Sequence, residues 1–357
     1  MISVVNQPGM FSNTKTNTGP YQASFLFLLG LSFLALILVG CQQQQVEHLT
    51  GRTMGTFYNV KWVADIEHDS SALQVEIDAL LVEINQSLST YVADSEINQL
   101  SQQAVAEPFA MSGLLAPVDR LSRQIWQLSD GAFDPTIGPL VDLWGFGPSF
   151  HADQIPADSE IDQRLENVGY QYLEVDDQGR LVKRKAVAVD YSAIAKGFGV
   201  DRVAELLEHR GISRYLVEIG GEIRVSGTNA STMPWRLAIE TPDLSGGIQA
   251  SIALQQGAVA TSGNYRNFFE VDGVRYAHTL DPTTGRPVQR DVVSATVIAP
   301  TCAEADGWAT AFMVLGSERA LEIADREGLA LYLVRANGEG YEAAYSKAYQ
   351  PYLNNER

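Results

Sequence analysis

The chain has 357 residues, of which 45% are hydrophobic and 19% charged, enough to bury a sizeable core in one large domain or two small ones. Lys and Arg total 25 against 43 Asp and Glu, a formal charge of −18, which argues against nucleic acid as a partner because phosphate backbones are held by basic side chains. A local basic pocket for a nucleotide remains compatible with that balance.

Residues 1–40 read as a leader rather than as part of the fold. They hold one basic residue, Lys15, no acidic one, and an apolar run over 23–39 that ends in Leu38-Val39-Gly40-Cys41. The run is shorter than the roughly 20 residues a membrane span needs and suits the core of a signal peptide. The small residue and cysteine resemble a bacterial lipobox, so Cys41 is the expected lipidation site and first mature residue. An uncleaved signal anchor is the alternative, and Met10 is a second candidate start. Gln42 follows the cysteine where Asp is absent, which resembles the outer-membrane sorting pattern and leaves the choice of inner or outer membrane open. With Cys41 lipidated, Cys302 has no partner, and no disulfide framework is expected.

Residues 41–50 form a polar tether, and 51–350 the expected folded domain. Thr53-Met54-Gly55-Thr56 leads into an alternating strand over 57–63. Leu73, Ile77, Leu80, Leu81, Ile84 and Leu88 recur at helical spacing and predict an amphipathic helix over 70–89. Ser95-Glu96-Ile97-Asn98 opens a short helical turn, and a second long helix is expected over 112–129 with Gly131 as its C-cap. The Gly, Pro and aromatic residues of 130–136 and 143–147 point to a binding surface or a complicated turn. A strand over 187–190 then leads through a bend into a helix stopped by Gly211. Strands follow at 215–219, 223–226, 235–240, 248–254 and 292–298, helices at 302–315 and 317–327, and a last hairpin at 329–335 and 341–346. Runs of adjacent strands with helices clustered between them predict an α+β fold with mainly antiparallel sheets.

Three stretches carry chemistry. Asp272-Gly273 is a two-residue hairpin loop that pairs Val271 with Val274, Glu270 with Arg275, Phe269 with Tyr276 and Asn267 with His278. On one face Glu270 and Arg275 make an ion pair, and the aromatic pair covers the other. A lone histidine at a strand end is usually structural or merely exposed, but Thr261-Ser262-Gly263-Asn264 precedes this hairpin and an Asp/Thr helix follows it. On that helix Asp306 and Thr310 share a face, giving either a surface hydrogen bond or a pair of hard oxygen donors suited to Mg²⁺ and poor for zinc. Asp190 to Gly199 reads as strand, bend, then Lys196-Gly197 at a helix start, which is either an anion cradle or a tight turn with an exposed lysine. Walker A spacing, a Gly-x-Gly-x-x-Gly after a strand and zinc-like Cys/His clusters are all missing.

Together these segments resemble the FAD:protein FMN transferase family, also called ApbE, over nearly the whole chain from Gly51 to about Ser346. The resemblance is carried by Thr53-Met54-Gly55-Thr56, Ser89-Thr90-Tyr91, Ser95-Glu96-Ile97-Asn98, Gly131-Ala132-Phe133-Asp134-Pro135 and Val189-Asp190 to Lys196-Gly197. Gly220-Gly221-Glu222, Thr261-Ser262-Gly263-Asn264-Tyr265, His278 to Gly285 and Ala305-Asp306 to Thr310 complete it. It implies a single T-fold-related domain that moves FMN from FAD to a Ser or Thr hydroxyl of an acceptor protein, with Mg²⁺ as cofactor and AMP as product. By that pattern Met54, Tyr91, Ala132, Phe133, Asp134, Asp190, Lys196 and the backbone near Leu280 contact FAD. The Ala193 carbonyl, Asp306 and Thr310 hold Mg²⁺, and His278 is the base. The implied acceptors are membrane-associated subunits of sodium-pumping NADH:quinone reductase or the related electron-transport complex, met by a lipid-anchored enzyme facing the periplasm. Thr283 departs from the pattern, since relatives often carry a basic residue there. An FAD pyrophosphatase that uses water as nucleophile and a non-catalytic flavin-binding lipoprotein are the competing expectations.

Overall fold

The computed structural model describes residues 45–64, 68–149, 154–242, 247–265, 267–338 and 340–353, so the leader and Cys41 lie outside the described residues. Eight strands make the large sheet: β1 (Val46–Thr53), β2 (Thr56–Val63), β3 (Tyr215–Ile219), β4 (Glu222–Ser226), β5 (Gln256–Gly263), β6 (Val292–Ala299), β7 (Ala330–Asn337) and β8 (Gly340–Tyr345). Their order across the sheet is their order in the chain, and every neighbouring pair is antiparallel. Each connection is therefore a hairpin or an excursion that returns beside its starting strand.

The excursions carry the remaining elements. Between β2 and β3 come helices α1 (Ser70–Leu88), α2 (Leu115–Leu128) and α3 (Ser192–His209). A hairpin of Trp235–Glu240 and Ile248–Leu254 separates β4 from β5, and another of Phe268–Val271 and Val274–Ala277 separates β5 from β6. Helices α4 (Cys302–Leu315) and α5 (Ser317–Glu327) join β6 to β7.

The period-two alternation of the central strands feeds two cores. Ala258 and Ala260 of β5, Ala295 and Val297 of β6, and Leu331 and Leu333 of β7 pack with the helices around Ile194, Val200 and Phe312. Val259, Ile298, Tyr332 and Val334 point the other way, against Trp235, Leu237, Ile239 and Ile252 of the first hairpin and Tyr349. Burial on both faces is why β5 and β6 read as nearly unbroken apolar or small-residue runs.

Helices α3 and α4 pack closely at Gly197. A Cβ there would lie 2.3 Å from the Cys302 carbonyl oxygen and 2.6 Å from its carbonyl carbon. Helix propensity alone favours alanine over glycine by about 1 kcal/mol. The clash is with backbone, which no rotamer change relieves, so Gly197→Ala should cost a net ~1–3 kcal/mol in urea unfolding. An unchanged unfolding midpoint would contradict the close crossing.

Four expectations are corrected by the structure. Residues 46–50 are not tether but the start of β1, paired from Val46 opposite Val63. As an edge strand with one neighbour, β1 lacks the apolar run that marks a central strand. Residues 187–190 join no ladder, because the Val189 amide donates to Ser101 Oγ at 3.0 Å and the Asp190 amide to the Pro135 carbonyl at 2.7 Å. Ser129, not Gly131, caps α2, and Asp130 and Gly131 both take positive φ after it. In the 268–277 hairpin the expected register holds, but the Arg275 guanidinium lies 4.0 Å from the centre of the Phe268 ring and makes no ion pair with Glu270.

Candidate active site

One cavity of about 1150 Å³ opens where the β1–β2 turn, the α3–α4 crossing and the 268–277 hairpin converge. It is large enough for a dinucleotide. Met54, Tyr91, Ala132, Phe133, Asp134, Asp190, Ala193, Lys196, His278, Leu280, Asp306 and Thr310, brought from distant parts of the chain, all line it.

Local chemistry fixes each wall. Met54 and Gly55 form the β1–β2 turn, both at positive φ, and the Asn85 amide of α1 ties that turn down by donating to Thr53 Oγ1 at 3.0 Å. Asn98 donates to the carbonyls of Thr90 at 3.0 Å and Val92 at 2.8 Å, which shapes the loop that presents Tyr91, 67% exposed, at the rim. The Asp134 carboxylate has protein partners on both oxygens. Its Oδ1 accepts from the Thr136 amide and hydroxyl, and its Oδ2 from the Tyr170 amide at 3.0 Å. It lines the cavity as the N-cap of a short 3₁₀ turn, with its carboxylate already satisfied.

Of the two readings of the start of α3, the amide cradle is not built. Asp190 Oδ1 accepts from the Ser192 amide at 2.8 Å, and the Ile194 and Ala195 amides donate to the Tyr191 carbonyl. The helix thus begins at Ser192, and Lys196 sits in its second turn rather than at its tip. From there its Nζ lies 3.2 Å from Glu222 Oε1 and 3.7 Å from Asp306 Oδ1. Asp306 Oδ2 accepts from the Gly197 amide at 2.9 Å, an amide that a regular helix would direct to the Ala193 carbonyl. One turn along α4, Thr310 Oγ1 is 3.2 Å from Ser262 Oγ of β5. Asp306, Thr310 and Ala193 are therefore hard oxygen donors facing one cavity. Among the described residues no group of three His, Cys, Asp or Glu side chains converges, so no zinc-type centre is found there.

Electrostatics favour an added cation. Lys196 is the one Lys or Arg among the described lining residues, against Asp134, Asp190, Glu218, Glu222, Glu240 and Asp306. Burial raises the Asp190 and Asp306 carboxyls above the ordinary range, and it pushes Glu222 up to about 8 even with Lys196 beside it. Burial also opposes the Lys196 charge, but Asp306 and Glu222 together outweigh it and hold the ammonium above the usual lysine value. A pyrophosphate entering such a cleft needs more positive charge than one lysine supplies. The donor set and this charge deficit both fit Mg²⁺.

His278 is half-buried. Its Nδ1 lies 3.2 Å from the Asn267 carbonyl, which can only accept, so Nδ1 carries the proton in the neutral ring and Nε2 keeps a lone pair. Burial, with a smaller contribution from Lys196, lowers its pKa below the ordinary histidine value. The ring meets Phe146 edge-on at 6.3 Å, and Phe146 stacks on Phe269, which stacks on Tyr276 and Trp144. Trp144 Nε1 donates to the Gly285 carbonyl at 2.9 Å, fixing the loop after His278 to this aromatic slab. Glu222 received no role from sequence reasoning. Its signal was the Gly220-Gly221-Glu222 turn, whose partner on α3 is far away in the chain.

The ApbE family model matches residues 54–333. A curated FAD:protein FMN transferase from Vibrio cholerae is 43% identical over 332 residues, covering 92% of this chain and 99% of its own. One from Escherichia coli K12 is 39% identical over 337 residues, 90% of this chain and 96% of its own. The solved structure of flavin transferase ApbE from Vibrio cholerae matches with a TM-score of 0.82 at 43% identity, over 87% of this chain and 100% of that one. The apo flavinyl transferase ApbE from Pseudomonas stutzeri matches with 0.81 at 38% identity, over 87% and 98%. These relatives, sharing the fold over most of the chain, define an enzyme of the flavin-transferase class. The chain belongs to the ApbE family.

Proposed function

We propose that this chain transfers FMN from FAD to a serine or threonine hydroxyl of an acceptor protein, forming a phosphoester and releasing AMP. The observation that carries the reading is the meeting of Lys196, Asp306, Thr310 and His278 in one dinucleotide-sized cleft of an ApbE-family chain. Asp306, Thr310 and the Ala193 carbonyl would hold Mg²⁺, which when bound supplies charge neutralisation at the pyrophosphate. Lys196 reaches the same phosphates. Met54, Tyr91 and the 132–134 loop would border the bound FAD, with Asp190 and Leu280 at its other edges. The acceptor hydroxyl oxygen attacks the FMN phosphorus, and its proton passes to His278 Nε2. The bond from that phosphorus to the bridging oxygen breaks, and AMP leaves with the oxygen.

AMP release measured with and without an acceptor domain tests this reading. Acceptor-dependent release is the expected result, whereas equal release of AMP and free FMN without acceptor identifies a pyrophosphatase.

We place the enzyme on a membrane, facing the periplasm, anchored through Cys41. The lipobox-like end of the leader supports this, and the family resemblance points to membrane-associated subunits of sodium-pumping NADH:quinone reductase or its relatives as acceptors. Growth with labelled palmitate should mark the wild-type protein and leave Cys41→Ser unmarked, and a wild type that takes up no label contradicts the anchor.

A further inference from the structure

Lys196 stands between two carboxylates that are both almost wholly buried, Glu222 at 4% and Asp306 at 3% side-chain exposure. Buried carboxylates of this kind require a cation, and the ammonium serves both. A divalent ion arriving at Asp306 competes for the same oxygens, and two cations within about 4 Å repel strongly in a poorly solvated site. The ammonium must then leave Asp306. Glu222 has a place for it, because its Oε2 is buried without any hydrogen-bond partner while Oε1 already holds the amine. The lysine side chain is itself 31% exposed to the cleft, unlike either carboxylate.

We infer that Glu222 is the seat to which Lys196 withdraws when a divalent cation takes Asp306, making Glu222 a positioning residue for metal loading. The inference rests on the metal site proposed above. With both oxygens of Glu222 engaged, Lys196 stays in the cleft beside the phosphates and no longer blocks the metal. Without the Glu222 charge, Asp306 is the remaining carboxylate for the ammonium, and the metal has to displace it.

The test is Mn²⁺ binding to the full-length protein without FAD, at a pH above the value of about 8 to which burial pushes Glu222, followed by the electron paramagnetic resonance of free Mn²⁺. Glu222→Gln should weaken binding about tenfold, and Glu222→Asp, which keeps the charge one methylene back, should restore most of it. Lys196→Met removes the competitor but leaves Asp306 to a proton, so Mn²⁺ binding there should tighten as the pH is raised. In that background Glu222→Gln should change little, because a buried carboxylate without its cation is already neutral. Wild-type affinity in Glu222→Gln, or an equal loss with and without Lys196, would overturn the exchange. Should Glu222→Gln fail to fold, Lys196→Met decides alone, and binding there that is no tighter than wild type at the highest pH contradicts the inference. If Asp306→Asn leaves Mn²⁺ binding intact, the metal site itself is wrong and the exchange falls with it.

Discussion

Replacing His278 with alanine should lower FMN transfer by about 10²-fold or more while leaving FAD bound. The expectation follows from the ring's surroundings. A hydroxyl is a poor nucleophile near neutral pH, and the group that takes its proton must be unprotonated while it acts. The Asn267 carbonyl holds Nδ1–H, which leaves Nε2 as the free base, and burial keeps the ring neutral to lower pH than an ordinary histidine. The sign of the pH dependence is therefore fixed. Transfer should rise with pH through a midpoint below 6.5, the ordinary histidine value, and that limb should vanish in the alanine variant. Transfer rates and FAD affinity measured separately check both points. Near-normal turnover in the variant, or a limb centred above 6.5 in the wild type, removes His278 from the role of base.

Asp306→Ala should lower transfer by about 10²–10³-fold and leave a residual rate indifferent to added Mg²⁺. Part of the loss would be structural, because Asp306 Oδ2 also accepts the Gly197 amide where α3 and α4 cross. Asp306→Asn separates the two effects. The amide oxygen can still accept that bond, so the fold should hold, but a neutral donor is a poor Mg²⁺ ligand. A titration of rate against Mg²⁺ for wild type and both variants is the measurement. An Asn variant with the wild-type metal response would put the metal elsewhere.

Much of the fold was legible in the chain because its elements are locally decided. The Asp272-Gly273 turn adopts positive φ at both residues and sets the register of the 268–277 hairpin, which places Asn267 opposite His278. The long helices follow from apolar residues repeated at helical spacing, such as Ile77, Leu81, Ile84 and Leu88 on α1. What local pattern could not supply were contacts between distant segments. β1 escaped because an edge strand shows little of its pairing in its own composition. Asp134 reads in sequence like any cleft carboxylate, yet Thr136 and Tyr170 occupy it. Lys196 reads as a helix-tip lysine until Asp190 is seen to start the helix earlier, and its pairing with Glu222 joins α3 to the β3–β4 turn. The candidate site was legible as a set of residues. Its charge arrangement was not.

The most direct measurement is the mass of an acceptor domain after incubation with this protein, FAD and Mg²⁺. The expected result is a gain equal to one FMN on a single serine or threonine, lost when that hydroxyl is removed from the acceptor. An acceptor of unchanged mass, with FAD either intact or split into free FMN and AMP, would contradict the transfer of FMN to protein.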